Sequence, residues 1–159
     1  MTREVVCHGV EAPDLGLIGV TRYIEGDTLN IEWEHIWRTQ WLLAGLVSDV
    51  REPGEFFVFE IGPEQILVTR TAKGDLKAFY NVCQHRGNRL VNERFGRAED
   101  FRCLYHAWTY DLDGELKGVP GLANFREDPR QTRPLKPVAL DVWNGLIFVH
   151  LGAEPPTLE

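Results

Sequence analysis

Four residues carry most of the chemistry this chain can be asked to do. They form two pairs, Cys83-Gln84-His85 and Cys103-Leu104-Tyr105-His106, with seventeen residues between His85 and Cys103. Thiolates and imidazoles in equal number can hold either a zinc ion or a two-iron, two-sulfide cluster, and order and spacing distinguish the two. Zinc sites of the Cys2His2 type usually set their cysteines together and their histidines together, so that each element clamps one metal with a matched pair. Here the types alternate. An alternating order lets two loops approach a two-iron core with both cysteines on one iron and both histidines on the other, which puts the imidazoles at the outer tip.

Such a ligand set has an electrochemical consequence. Two neutral imidazoles in place of two thiolates remove two negative charges, so an added electron is repelled less and the potential rises above that of a four-cysteine centre, to roughly −150 to +300 mV. Hydrogen bonds to sulfur and exposure of the histidines set the value within that range. A glycine beside the ligands, here Gly87, would let a main-chain N–H come close to sulfur.

The loops need a scaffold, and from Trp41 onward the texture is that of short strands. Apolar or alternating runs cover Trp41 to Val47, Phe56 to Ile61, Gln65 to Thr71, Leu76 to Val82, Thr109 to Leu112 and Gly145 to Leu151. Pro53-Gly54 and Lys73-Gly74-Asp75 punctuate them, and Asp113-Gly114 predicts a two-residue hairpin. Leu146-Ile147-Phe148-Val149 is apolar at both alternating sets of positions and predicts a central strand buried on both sides. Pro134 and Pro137 predict an edge or a loop. Before the strands, Trp33, Ile36 and Trp37 share one face of a helix expected over Ile31 to Arg38, with Asn30 as N-cap. The expected class is all-β, an antiparallel β-sandwich with a short N-terminal helix.

With the loops written out, Cys83-Gln84-His85-Arg86-Gly87-Asn88 and Cys103-Leu104-Tyr105-His106-Ala107-Trp108-Thr109-Tyr110-Asp111-Leu112-Asp113-Gly114, the chain resembles the N-terminal Rieske [2Fe-2S] domain of Rieske non-haem iron, aromatic ring-hydroxylating oxygenase α subunits. The resemblance runs from about Trp33 through Val149. It implies a Rieske-type sandwich with a small cluster-binding subdomain, Cys83 and Cys103 on the inner iron, and His85 and His106 on the outer iron. Arg86, Gly87 and Trp108 would support them. Ala107 stands where many relatives have Gly, and Leu104 where many have Pro; Ala107 suggests a backbone that avoids positive φ. The respiratory type of the family carries an extra cysteine in each loop, and Asn88 and Tyr105 fill those neighbourhoods, which favours the low-potential, oxygenase-like branch.

The resemblance also implies an organisation. Residues 1–40 are expected to form an extension with a short helix, 41–153 the Rieske domain with loops near 83–88 and 103–108, and 154–159 a tail toward a catalytic domain that would hold mononuclear Fe(II). No catalytic residue is expected in this segment itself. Its expected role is one-electron transfer between a reductase or ferredoxin donor and the iron of that oxygenase domain or of a neighbouring subunit. A free-standing Rieske ferredoxin is an alternative, against which the Trp-rich segment Thr28 to Trp41 counts. A structural zinc-binding interaction module is another.

Bulk properties agree with a single soluble redox domain. The chain has 159 residues, 43% of them hydrophobic, enough for a core without disulfide staples. Nine prolines and fifteen glycines are spread along it without an internal repeat. A net charge of −7 with no basic run argues against nucleic acid and anionic membranes as partners. Three cysteines, two beside histidines, fit metal ligation in a reducing compartment, and Arg3, Glu4, Glu11 and Asp14 interrupt any N-terminal apolar run, so a cytoplasmic location is expected. Cys7 reads as an ordinary thiol, His8, His35 and His150 as non-ligands, and Trp33, Trp37, Trp41 and Trp143 as packing or interface residues.

Overall fold

The computed structural model describes residues 21–24 and 26–158; Cys7, His8 and the rest of the N-terminal twenty residues lie outside them. The described chain opens with two short helices, α1 (Thr21–Ile24) and α2 (Gly26–Glu32), and a π-helical turn over Trp33–Trp37. Ten strands follow: β1 (Leu42–Leu46), β2 (Glu55–Ile61), β3 (Glu64–Arg70), β4 (Leu76–Tyr80), β5 (Phe95–Arg97), β6 (Phe101–Arg102), β7 (Thr109–Tyr110), β8 (Leu116–Gly118), β9 (Pro137–Trp143) and β10 (Leu146–His150). The antiparallel sheets have the orders β1-β10-β9-β4-β3-β2-β5 and β6-β7-β8. Gly45 on β1 lies against the ring of Phe57 on β2, where a Cβ would overlap it, so the larger sheet curls back on itself.

The all-β expectation holds, and the period of two explains how the sheet serves the site. On β2 to β4, Phe56, Val58, Leu67 and Phe79 face one hydrophobic cluster, while Phe57, Ile66, Val68 and Ala78 face another. A strand buried on both faces has to be apolar at consecutive positions, which is what Phe56-Phe57-Val58-Phe59 provides. The second cluster is closed by Leu42, Ile147 and Val149 of β1 and β10, with Trp33 packed on it. The first contains Cys83, Cys103, Trp108, Tyr110, Leu112 and Leu116, and so fastens the small sheet and the loops onto the larger one.

Several expectations change in detail. Among the described residues, helical structure is already present ten residues before Ile31, and Asn30 lies inside α2 rather than capping a helix. No residue of α2 or of the Trp33–Trp37 turn is buried, and of the expected apolar face only Trp33 is half-covered while Ile36 and Trp37 are exposed. Trp33 itself lies against the Gly62-Pro63 turn, its ring filling the space a Cβ on Gly62 would take. Pro137 opens β9, an interior strand, where an edge or loop was expected. As the first residue of its strand it owes the ladder no N–H. The Asp113-Gly114 turn is longer than two residues: β7 and β8 pair Tyr110 with Leu116, and Asp111 Oδ1 accepts hydrogen bonds from the N–H groups of Asp113 and Glu115. Only Gly114 there takes a positive φ, +84°.

Candidate metal centre

Both Cys/His loops share one backbone design. Cys83 N–H donates to Asn88 O at 2.8 Å and Gly87 N–H returns to Cys83 O at 3.0 Å; Cys103 N–H donates to Trp108 O at 2.8 Å and Ala107 N–H to Cys103 O at 2.9 Å. The flanks pair as Val82 with Arg89 and Arg102 with Thr109. The second loop thus repeats the first twenty residues later, a repeat of backbone geometry that the side chains conceal. In each, the fourth residue after the cysteine turns the chain through left-handed conformation, with φ +71° at Gly87 and +55° at Ala107.

That geometry corrects one expectation. Ala107 does not avoid positive φ; the loop closure imposes it, at about 1–2 kcal/mol for a residue with a Cβ. At Gly87 the positive φ is itself a reason for glycine.

The loops bring like groups together. Cys83 and Cys103 are both buried and free, close enough for the two thiols to interact. The rings of His85 and His106 meet edge to face with centroids 4.6 Å apart, and His85 stacks on the buried Trp108 at 4.7 Å and 10° between planes. Leu104 and Tyr105 are exposed at the tip, 79% and 60% accessible. His85 Nδ1 is buried without a hydrogen-bond partner. An unsatisfied buried nitrogen is costly unless something coordinates it, so this atom fits a metal ligand. Among the described residues, no three His, Cys, Asp or Glu side chains converge on a single ion position. Separated sulfur and nitrogen pairs suit a two-iron core better than one tetrahedral ion.

The electrostatics agree. Burial pushes the Cys83 thiol up from its ordinary range, opposed by hydrogen bonding from the His85 main chain and the Tyr110 hydroxyl. Burial also lowers the His85 pKa, helped by the neighbouring His106, Arg86 and Arg133, which favours the neutral imidazole that metals bind.

Three residues that sequence reasoning missed complete the surroundings. Tyr110, fully buried, places its Oη 3.6 Å from Cys83 Sγ and accepts the Gln84 N–H at 3.0 Å. Asn81 pairs both ways with Val91, Nδ2 to O at 2.7 Å and Oδ1 from N at 2.9 Å, and so ties the exit of the first loop to its entry. Arg133 donates to Gln84 O at 3.2 Å. Asn81 stands within the strand run that leads to the first cysteine and Tyr110 within the second motif, whereas nothing local marks Arg133. Of the remaining histidines, His35 is exposed. His150 is buried far along the chain from the pairs, edge-on to Trp41 at 5.4 Å and accepting the Gly152 N–H at Nδ1. Trp41 also donates from Nε1 to Pro156 O at 2.9 Å, while Trp37 and Trp143 are exposed. No helix among the described residues is long and apolar enough to cross a membrane.

Comparison with known proteins agrees with this geometry. The chain is 35% identical over 139 residues to the glycine betaine monooxygenase oxygenase subunit of Pseudomonas aeruginosa, covering 86% of this chain and 32% of that protein. It is 34% identical over 139 residues to the chlorobenzene dioxygenase α subunit of a Cupriavidus species, covering 86% and 31%. Among solved structures, a quaternary ammonium Rieske monooxygenase superposes with TM-score 0.81 at 26% identity, over 86% of this chain and 38% of that one. Naphthalene 1,2-dioxygenase from a Rhodococcus species gives 0.77 at 30% identity, over 83% and 31%. The chain thus spans about a third of the length of the curated relatives it matches. The family model for the Rieske [2Fe-2S] domain matches residues 40–138, the stretch that holds both loops and most of the sheet beneath them, and the chain belongs to that family.

Proposed function

We propose that this chain is the electron-delivery domain of an oxygenase that activates dioxygen at a mononuclear iron held outside residues 1–159. A bound [2Fe-2S] cluster would supply reversible one-electron chemistry, accepting from a reductase or ferredoxin and donating to that iron, in the same subunit or a neighbouring one. Relatives named as monooxygenases and as dioxygenases share this domain, as expected if electron delivery is common to both reactions.

Cys83 and Cys103 would hold the inner iron, and His85 and His106 the outer one. The observation that carries this reading is the pairing of two buried thiols and, beside them, of two imidazoles set edge to face, one of which keeps an unpartnered buried Nδ1. Trp108 would fix the plane of His85 by stacking, Gly87 would close the first loop, and Arg86 would present a cation beside it. With Cys83 a thiolate ligand, only the Tyr110 hydroxyl has a proton to give, so it would donate to that sulfur while its oxygen accepts from Gln84. Leu104 and Tyr105 are exposed beside the second histidine, with the Tyr105 ring centroid 3.8 Å from that of His106, and would form part of the surface a partner meets.

Electron paramagnetic resonance of the dithionite-reduced protein, with iron and sulfide analysis, tests the reading. Two irons and two sulfides with the low average g of mixed histidine and cysteine ligation are expected. A silent, zinc-loaded protein would replace the redox reading with a structural one.

A further inference from the structure

Cys83 and His85 are separated by one residue, so two consecutive peptide groups set how their side chains face each other. Both are held from outside the loop. Tyr110 Oη takes the N–H of the Cys83–Gln84 peptide, and Arg133 Nη1 donates to the C=O of the Gln84–His85 peptide. With a hydrogen bond on each plane, rotation about the φ and ψ of Gln84 is opposed, which restrains how the His85 backbone is set against Cys83.

Arg133 is built to act as a fixed arm. Its own N–H bonds to Pro129 O at 2.9 Å, at the end of a 3-10 turn over Pro129–Gln131. That turn is capped by the Asp128 side chain and seated by the buried Pro129. Two residues later, Leu135 is buried and its N–H bonds to Gly114 O at 2.8 Å. An exposed arginine on an anchored backbone loses less freedom in reaching a distant carbonyl than one on a mobile loop.

We propose that Arg133 is a positioning residue for the His85 side of the centre, holding the Gln84–His85 peptide in place and keeping a cation beside the outer iron position. The proposal rests on the Rieske reading above. Its two effects separate by salt: an exposed charge is screened, whereas a peptide released from its donor stays released.

The test uses the iron-loaded protein and reads midpoint potential and g values for wild type, Arg133→Met, Arg133→Lys and Arg86→Met, at about 0.05 M and about 1 M salt. Arg86, exposed and adjacent to His85, serves as the charge-only comparison. Arg133→Met is expected to lower the midpoint at both salt concentrations and to shift the g values. Arg133→Lys should restore part of both, and Arg86→Met should lower the midpoint only at low salt. A second neutral variant, Arg133→Gln, carries the same test if Arg133→Met loses iron. If the neutral Arg133 variants match wild type at high salt with superimposable spectra, Arg133 is only a surface charge and the inference fails. A wild type without the two-iron signal would instead overturn the Rieske reading itself.

Discussion

Removing a single oxygen atom, Tyr110→Phe, probes the centre at its most enclosed point. The phenol is fully buried, and burial, with the hydrogen bond to Cys83 next, raises its pKa well above the ordinary tyrosine range, so the hydroxyl keeps its proton. Its oxygen accepts from Gln84 N–H at 3.0 Å and its hydrogen is left for Cys83 Sγ, 3.6 Å away. A hydrogen bond to a charged acceptor contributes about 1.5–3 kcal/mol. Reduction increases the negative charge on sulfur, so part of that energy, roughly 0.5–1 kcal/mol, separates the two oxidation states. For a one-electron couple about 59 mV corresponds to about 1.4 kcal/mol, and the variant should therefore titrate roughly 20–40 mV lower. The assay is a dye-mediated optical redox titration of wild type and variant, with iron content and the reduced spectrum confirming an intact centre. A midpoint that is unchanged or higher in an intact variant would show that the hydroxyl does not donate to sulfur, and the reasoning would fall.

Other expectations follow from the same geometry. Ala107→Gly should stabilise the iron-free protein by about 0.5–1 kcal/mol, because relief of left-handed strain exceeds the added unfolded-state entropy; a urea midpoint that falls would contradict it. Asn81→Ala should cost about 2–4 kcal/mol in the same assay, since it strands the N–H and C=O of buried Val91; a loss below about 0.5 kcal/mol would mean that water replaces the amide. Asp113 has its pKa lowered, chiefly by the hydrogen bond from Lys77 at 2.7 Å. A depressed carboxyl stabilises the fold above its unfolded pKa and loses that contribution as pH falls through the folded value. Both groups are more than a third exposed, so the contribution is below about 1 kcal/mol. The stability gap between wild type and Asp113→Asn should close on acidification below about pH 4; a gap that persists there would exclude the ion pair as its source.

How much was legible in the sequence depends on how local the cause was. Strands β2, β3, β4 and β10 were visible to within a residue or two, because each is an apolar run bounded by turn residues. β7 falls inside the expected run Thr109 to Leu112, whereas the two-residue β6 was not anticipated: it exists because it flanks the second loop and pairs with β7, with Phe101 packed on the first hydrophobic cluster, which no short window contains. Pro137 misled because proline's rule concerns ladder position, and the sequence does not say that it comes first in its strand. Ala107 misled for a related reason: intrinsic preference argued against positive φ, and two closure hydrogen bonds together with the pairing of Arg102 and Thr109 overrode it.

By itself the sequence supplied the candidate donors, Cys83, His85, Cys103 and His106, their alternating order, and the periodicity that makes the domain an antiparallel β fold. These are properties of residue type and spacing, which need no third dimension. Only the tertiary structure decided what surrounds the donors. Tyr110 lies twenty-seven residues from Cys83 and Arg133 forty-nine from Gln84, and each acts through a contact that exists once β7 and the segment after the 3-10 turn are folded against the first loop. Hydrogen bonds act over about 3 Å and charges over about 10 Å, so groups distant along the chain can tune the centre only where folding has brought them together.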